Sequence, residues 1–560
     1  MKKILIYAVL FGCAGMAGCN DFLDKVPDNR TTIDSKDKVA ALLVSAYPTS
    51  TYMTLLEPRC DQYVDLGVTM DGSQPLPAMD NIVSGFMWDE YTRTESGNDT
   101  YEQYWTACYA AIAAANHALE AIDRLPDPAA AVQERGEALI ARSFNHFCLL
   151  SMYSDLFDRT NEAVNPGIPY VDQPEDIVIR EYDRGTVGST LERIRTDLAA
   201  GMKLVGGAGN YKQPKYHFTP ASANAFGARL ALFTEDYPSV IRYVNAVLPV
   251  PSAFFHLKYT DGTPVTNEDG TPVSGVDPED VANVYMQNNL HNWAAYVKTG
   301  NPDAMAMAFS GADAEANLLV SECATTIWRS TVGTYFVRHA IGLTEFRSLI
   351  TDNPTGASWV FPKVAFQWNG DPTVWLPKFY EDFKMENVAA QTGVAYAKIP
   401  LLRMEEMLLN RAEAYAMTGQ YDKALADLNM YAACRMDEYK YGPHTLYKDK
   451  IVNYYILQLR DKNHFINSPY NARKFKSGDE GLFQKALILT ILDFRHTEFI
   501  YEGMRYFDIL RWYIPVTHRT TDGGVSTLTP DDDRRIIQLP QITRISGLEP
   551  NEMSNIPYPW

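Results

Sequence analysis

No CxxC pair occurs anywhere in this chain, and of its seven cysteines the five that follow Cys19 stand far apart. That spacing excludes a thiolate zinc finger, and 560 residues can build a core without a disulfide framework. Cys60, Cys108, Cys148, Cys323 and Cys434 are therefore expected to be buried, inert thiols. The ten histidines form no HExxH, and there is no nucleophile elbow, phosphate loop or dinucleotide fingerprint. No motif asks for a metal or a cofactor. Positive charge is scarce: 50 Lys and Arg stand against 69 Asp and Glu, a net charge of −19. An acidic surface repels phosphate backbones, so nucleic acid is not an expected partner. Beyond the first residues no apolar run is long enough to cross a membrane as a helix.

The amino end is different. Lys2 and Lys3 precede an apolar run from Ile4 to Ala17, which has the order of a secretion signal covering residues 1–18. The run closes on Met16-Ala17-Gly18-Cys19, which resembles a bacterial lipobox. The resemblance implies cleavage before Cys19 and acylation of that residue. Two or more acyl chains anchor stably, at roughly 0.8 kcal/mol per buried methylene.

The rest reads mainly as helix. Val39, Leu42, Leu43 and Ala46 share one face between Ser35 and Tyr47, and longer helices are expected over 101–125, 128–153 and 185–204. Residues 48–100 are mixed and read as loop. Two segments resemble each other: "SANAFGARLALFTEDYPSVIRYVNAVL" (222–248) and "MLLNRAEAYAMTGQYDKALADLNMYAA" (407–433). With Tyr421 set over Tyr237, Ala412 falls on Ala228, Ala424 on Val240 and Leu428 on Val244. The second copy follows tetratricopeptide spacing, with Gly419 at the tight turn; the first has Glu235 there. "YTDGTPVTNEDGTPVSG" (259–275) repeats Asp-Gly-Thr-Pro-Val and predicts a hairpin. Its carboxylates lack EF-hand spacing. Residues 317–385 read as loops and short strands. The expectation is a mainly all-α chain, its helix pairs packed against an irregular, loop-rich region with short strands. A division into 19–230 and 231–560, packed as one unit, is the coarsest reading.

Near the carboxyl end stands "ILDFRHTEFIYEGMRYFDILRWYIP" (491–515). Read as one helix, it sets Arg495, Glu498, Glu502, Arg505, Asp508 and Arg511 in a row suited to intrahelical ion pairs. Gly503 in such a helix predicts the close approach of another segment. This stretch, with "CNDFLDKVPDN", "YWTACYAAIAAANHALEAID", "GEALIARSFNHFCLLSMYSDL", "NPGIPYV", "LLRMEEMLLNRAEAYAMTGQYDKALADLN" and "RRIIQLPQITRISGLEPNEMSN", resembles the SusD/RagB family of outer-membrane nutrient-binding lipoproteins. The acids after Cys19 likewise look like the export signal of Bacteroidetes lipoproteins bound for the outer face of the outer membrane. The resemblance implies four tetratricopeptide-like pairs beside a binding region, and a SusC-like, TonB-dependent barrel as partner. It implies capture of oligosaccharides, or of peptides in the RagB branch, and no catalysis.

Glu498 and Glu502 invite a glycosidase reading, because one helical turn sets their backbones about 6 Å apart. The neighbouring arginines hold both ionised, whereas a general acid needs a raised pKa. For a binder, sugar faces stack on aromatic rings while Asn, Asp, Gln and Arg meet hydroxyls. The candidates expected in loops are Asn81, Trp88 and Tyr91, with Asp89 and Arg93 beside them, then Trp293 and Tyr296, Trp328, Trp359, and Trp368 with Asn369. Trp105 and Trp512 fall in helical patterns and read as packing.

Overall fold

The computed structural model describes residues 33–554 apart from 69–71, 73–74, 77, 79, 90–97, 176–180, 252–277, 328–336, 364, 366–372 and 458–460. The signal segment with Cys19, the 259–275 hairpin, and Tyr91, Trp328 and Trp368 lie outside the described residues.

Helices dominate, and their ends follow from local chemistry. α1 (Lys36–Leu43) starts at Ser35, whose hydroxyl accepts from the Lys38 N–H. α2 (Tyr101–Arg124) starts in the same way at Thr100. α3 (Val132–Tyr153) is buried along nearly its whole length, packed between α2 and α4 (Val187–Met202). Reciprocal capping boxes open α4, through Thr186 and Ser189, and α5 (Pro220–Phe233), through Thr219 and Ser222. α6 (Tyr237–Asn245) folds back on α5, and α7 (Met404–Met417) pairs with α8 (Tyr421–Arg435). The expected division at 230/231 falls inside α5, whose residues belong to one continuous core with both halves.

The two repeat copies share a turn in atomic detail. Gly419 has φ +76°, and Glu235, aligned with it, has φ +58°. The Thr418 hydroxyl donates to the Ala414 carbonyl (2.7 Å), and Thr234 donates to Leu230 (2.9 Å). Gln420 N–H donates to Tyr415 and Asp236 N–H to Ala231, both at 2.8 Å. The degenerate copy keeps the left-handed turn without glycine.

Short antiparallel pieces complete the fold. β1 (Tyr63–Asp65) pairs with β3 (His339–Ile341); β2 (Asn317–Cys323) and β4 (Glu381–Asn387) flank β5 (Thr392–Arg403); β6 (Val516–Arg519) pairs with β7 (Val525–Leu528). The described residues between 48 and 100 hold more regular structure than the loop expected of them. They include helical turns at Met53–Leu56 and Glu57–Arg59, strand β1, and a helix at Asp80–Met87. A helix at Leu343–Thr351 likewise interrupts 317–385.

The carboxyl-terminal stretch is two helices, not one. α9 (Gly478–Glu498) ends at a bend where Tyr501 (φ +67°) and Gly503 (φ +68°) are left-handed, and α10 (Met504–Arg511) follows. A side chain at Gly503 would meet Met53, Leu56 and Tyr52 at 3.2 Å, so the expected close approach is present. The charged row pairs chiefly with other elements. Glu498 meets Arg403 (3.0 Å) and Arg435 (2.8 Å); Glu502 meets Arg403 (2.9 Å) and Lys378 (2.7 Å). Glu405 closes the group on Arg403 (3.1 Å) and Arg435 (2.7 Å). Arg495 reaches Asp508 across the bend (2.8 Å), Arg505 reaches Asp61 (2.7 Å), and Arg511 reaches Glu413 (2.8 Å). Only Arg511–Asp508 (2.9 Å) is a pair within one helix of the row. All five described cysteines are free and buried, and burial pushes the Cys148 thiol up to about 11.

Three substitutions test this packing. Arg435→Met leaves Glu405 and Glu498 short of a counterion, and a loss of about 3–5 kcal/mol in chemical denaturation is expected. Gly419→Ala meets open space but a strained φ, so a cost of about 1 kcal/mol is expected. Glu235→Gly in the matching turn is expected to be neutral or stabilising in the same denaturation assay.

Candidate ligand-binding site

Asn81 stands on the first turn of the Asp80–Met87 helix, half-buried, at a shallow recess. Thr54, Glu57, Tyr63, Ile327 and Tyr501 also line it. Asn81 Oδ1 accepts from the Ile82 N–H (3.0 Å), and its amide NH2 has no hydrogen-bond partner among the described residues. The recess is thus walled by an amide, hydroxyls, a carboxyl and an aromatic ring.

Two buried carboxyls that the sequence did not single out hold its walls in place. Asp99, left-handed at φ +64°, accepts from Thr54 Oγ1 (3.0 Å), Thr325 Oγ1 (2.6 Å), Thr326 N–H (2.7 Å) and Thr326 Oγ1 (2.7 Å). Glu57 accepts from Gln62 Nε2 (2.8 Å) and from the N–H groups of Tyr501 (2.7 Å) and Gly503 (2.7 Å). Burial pushes the Glu57 carboxyl up to about 7, against the pull of those three donors. The signals for both residues were weak: a lone acid in a Gly/Asn-rich stretch and a lone acid before a proline.

The aromatic candidates separate sharply. Trp88 is 2% exposed and packs face to face on His518 (4.3 Å between ring centres), whose other face lies on Phe86 (4.1 Å). Its indole N–H donates to the Arg59 carbonyl (3.2 Å), and the Arg534 guanidinium lies over its ring at 5.7 Å. Trp293, on a short helix at Trp293–Val297 and not in a loop, is fully buried and stacks on Phe309 (5.3 Å). Trp359 is buried against Phe361, Tyr431 and Phe494. These three rings offer no open face, so the stacking role expected of them is withdrawn: each finds more apolar contact inside than a sugar could supply. Tyr296 is half-buried, its hydroxyl donating to the Ala308 carbonyl (3.3 Å). Asn81 is the described candidate that reaches a recess. Trp328 follows Ile327 of that recess directly in the chain, and with Tyr91 and Trp368 it lies outside the described residues. Trp105 and Trp512 are buried, as expected of packing residues.

Glu498 and Glu502 are buried beside their counterions. Burial alone would raise the Glu498 carboxyl, but Arg435 and Arg403 together hold it below the ordinary range. It has neither the proton nor the access that a general acid needs.

Two family models match the chain. One, described as starch-binding and associating with the outer membrane, covers residues 21–232; the other, described as the SusD family, covers 351–527. The chain belongs to the SusD/RagB family. Solved structures agree in fold. A SusD superfamily protein from Bacteroides thetaiotaomicron aligns with a TM-score of 0.59 at 14% identity, covering 92% of this chain and 100% of its own. One from Bacteroides fragilis gives 0.57 at 16%, covering 92% and 99%. A laminarin-binding SusD-like protein gives 0.54 at 14%, again covering 92% and 99%. No curated sequence matches. The SusD/RagB assignment carries carbohydrate binding in general and association with the outer membrane at the cell surface.

The Glu57 carboxyl gives a pH prediction. Its folded pKa stands above the ordinary value of 4.5. Its contribution to stability is therefore fully present below pH 4.5 and lost as pH rises through about 7. Melting temperatures are expected to fall between pH 5 and 8.5 by more in the wild type than in Glu57→Gln.

Proposed function

We propose that this SusD/RagB protein is a cell-surface lipoprotein, acylated on Cys19, that binds oligosaccharide at the surface around the Asn81 recess. It then hands the glycan to a SusC-like, TonB-dependent barrel for uptake. The observations that carry this reading are the two family matches, and the recess, of about 20 Å³, marks one contact point on that surface. An Asn amide whose NH2 has no partner among the described residues stands beside hydroxyls and aromatic rings, on walls fixed by Asp99 and Glu57. Neutral hydroxyls that both donate and accept suit that set of groups. The two family matches support the ligand class. The role is binding without bond cleavage, in keeping with the buried, counterion-paired state of Glu498 and Glu502.

Isothermal titration against a panel of polysaccharides, with reducing-end release followed in the same samples, tests the reading. Binding of at least one glycan without release is expected, weakened about tenfold or more by Asn81→Ala and by Trp328→Ala. Release of reducing ends would make the protein a surface hydrolase, and binding of peptides alone would make it a RagB-like peptide carrier. Labelled palmitate is expected to enter the wild type and not Cys19→Ala.

A further inference from the structure

A second cavity, of about 650 Å³, opens between the end of α3, the end of α10 and the segment around Asp532. It shares no lining residue with the Asn81 recess. Four features of its wall point to a ligand. The Ser154 hydroxyl is buried at 4% exposure and has no hydrogen-bond partner among the described residues, although a buried hydroxyl ordinarily finds one. Arg535 is a buried cation that donates only to main-chain carbonyls, Ile514 (3.1 Å) and Ile509, with no carboxylate paired to it among the described residues. Asp155, on the same wall, accepts among the described residues only from the Asp158 N–H (3.3 Å) and Asn165 Nδ2 (3.5 Å). Burial and the Asp158 charge push its carboxyl up to about 6. Finally, Tyr470 and Tyr513 stack on each other at 4.9 Å, both half-buried, and present aromatic surface to the space.

We infer that this cavity is a second saccharide site, a reading that rests on the glycan-binding function proposed above. The mixed wall selects the class. A cationic ligand would meet Arg535 and Arg473, and an anionic one would meet Asp155, Asp158 and Asp533. A neutral sugar hydroxyl can donate to Asp155 while accepting from Ser154 or Arg535, and a ring C–H face suits the tyrosines. The volume is ample for one or two sugar rings.

The test is calorimetric titration of the full mature chain with maltose, laminaribiose, cellobiose and chitobiose at millimolar concentration. The comparison is wild type, Ser154→Leu, Tyr470→Ala and Asn81→Ala, each checked by circular dichroism and melting. Tyr470 lies at the surface, so its variant keeps the test alive if the leucine disturbs packing. At least one disaccharide is expected to bind the wild type and to weaken about tenfold in Ser154→Leu and Tyr470→Ala while Asn81→Ala leaves it unchanged. Disaccharide binding that responds to Asn81→Ala alone overturns the second site and leaves the first standing. If the wild type binds neither these sugars nor any polysaccharide of the earlier panel, both readings fall. Polysaccharide binding with no disaccharide bound overturns this site only.

Discussion

Three buried cations balanced by three buried carboxylates hold this molecule in register. Lys378, Arg403 and Arg435 face Glu405, Glu498 and Glu502, and each carboxylate has at least two cationic or hydrogen-bonding partners. Charges taken out of water are costly, and the cost is met only when every one finds a partner with good geometry. That makes the cluster a geometric constraint before it is a source of stability. The Arg403 guanidinium at the end of β5 can serve Glu498 and Glu502 together only if α9 ends where it does. The left-handed bend at Tyr501 and Gly503 then turns α10 back, so that Asp508 meets Arg495 and Arg511 meets Glu413. A straight helix through 491–515 could not place all of these charges against counterions on other elements.

The bend carries that constraint to the recess. Glu57 takes the N–H groups of Tyr501 and Gly503, so the chain that lines the recess is tied to the end of α9 and hence to the ion cluster. From the other side, Asp99 gathers Thr54, Thr325 and Thr326. Two acids, each accepting from three or more donors, fix a wall that carries the Asn81 amide and the Thr54 hydroxyl beside the Glu57 carboxyl. Preorganising neutral donors and acceptors in this way lowers the ordering cost when a flexible, uncharged ligand is bound.

Much of the scaffold was legible because its signals are local. The helix pairs announce themselves through small residues at fixed spacing, and the alignment of Gly419 over Glu235 led to the same left-handed turn in both copies. Gly503 marked a close approach because a glycine inside a helical pattern needs a reason, and Met53, Leu56 and Tyr52 supply it. The ion cluster was not legible. The row from Arg495 to Arg511 is visible in sequence, but its partners Lys378, Arg403, Arg435 and Glu413 are distant, and i,i+4 spacing offered a nearer explanation. The aromatic platforms failed for a related reason. A tryptophan flanked by Gly, Asn and Asp looks exposed, yet Trp88 had His518 and Arg534 waiting some 430 residues later.

Where charge stands decides what this fold can do chemically. In the central cluster Glu405, Glu498 and Glu502 are balanced by Arg403, Arg435 and Lys378, and Glu498 is held ionised and inaccessible, the wrong state for proton donation. At the recess and the second cavity the balance is incomplete among the described residues: the Asn81 NH2 and the Ser154 hydroxyl have no partner there, and Arg535 rests on carbonyls. Groups left short of partners at a wall are a cost to the empty protein that a ligand able to both donate and accept removes. Sugars are such ligands along their whole length. A scaffold that pairs the charges of its central cluster and leaves Asn81 and Ser154 short of partners at its walls suits the binding of carbohydrate in general.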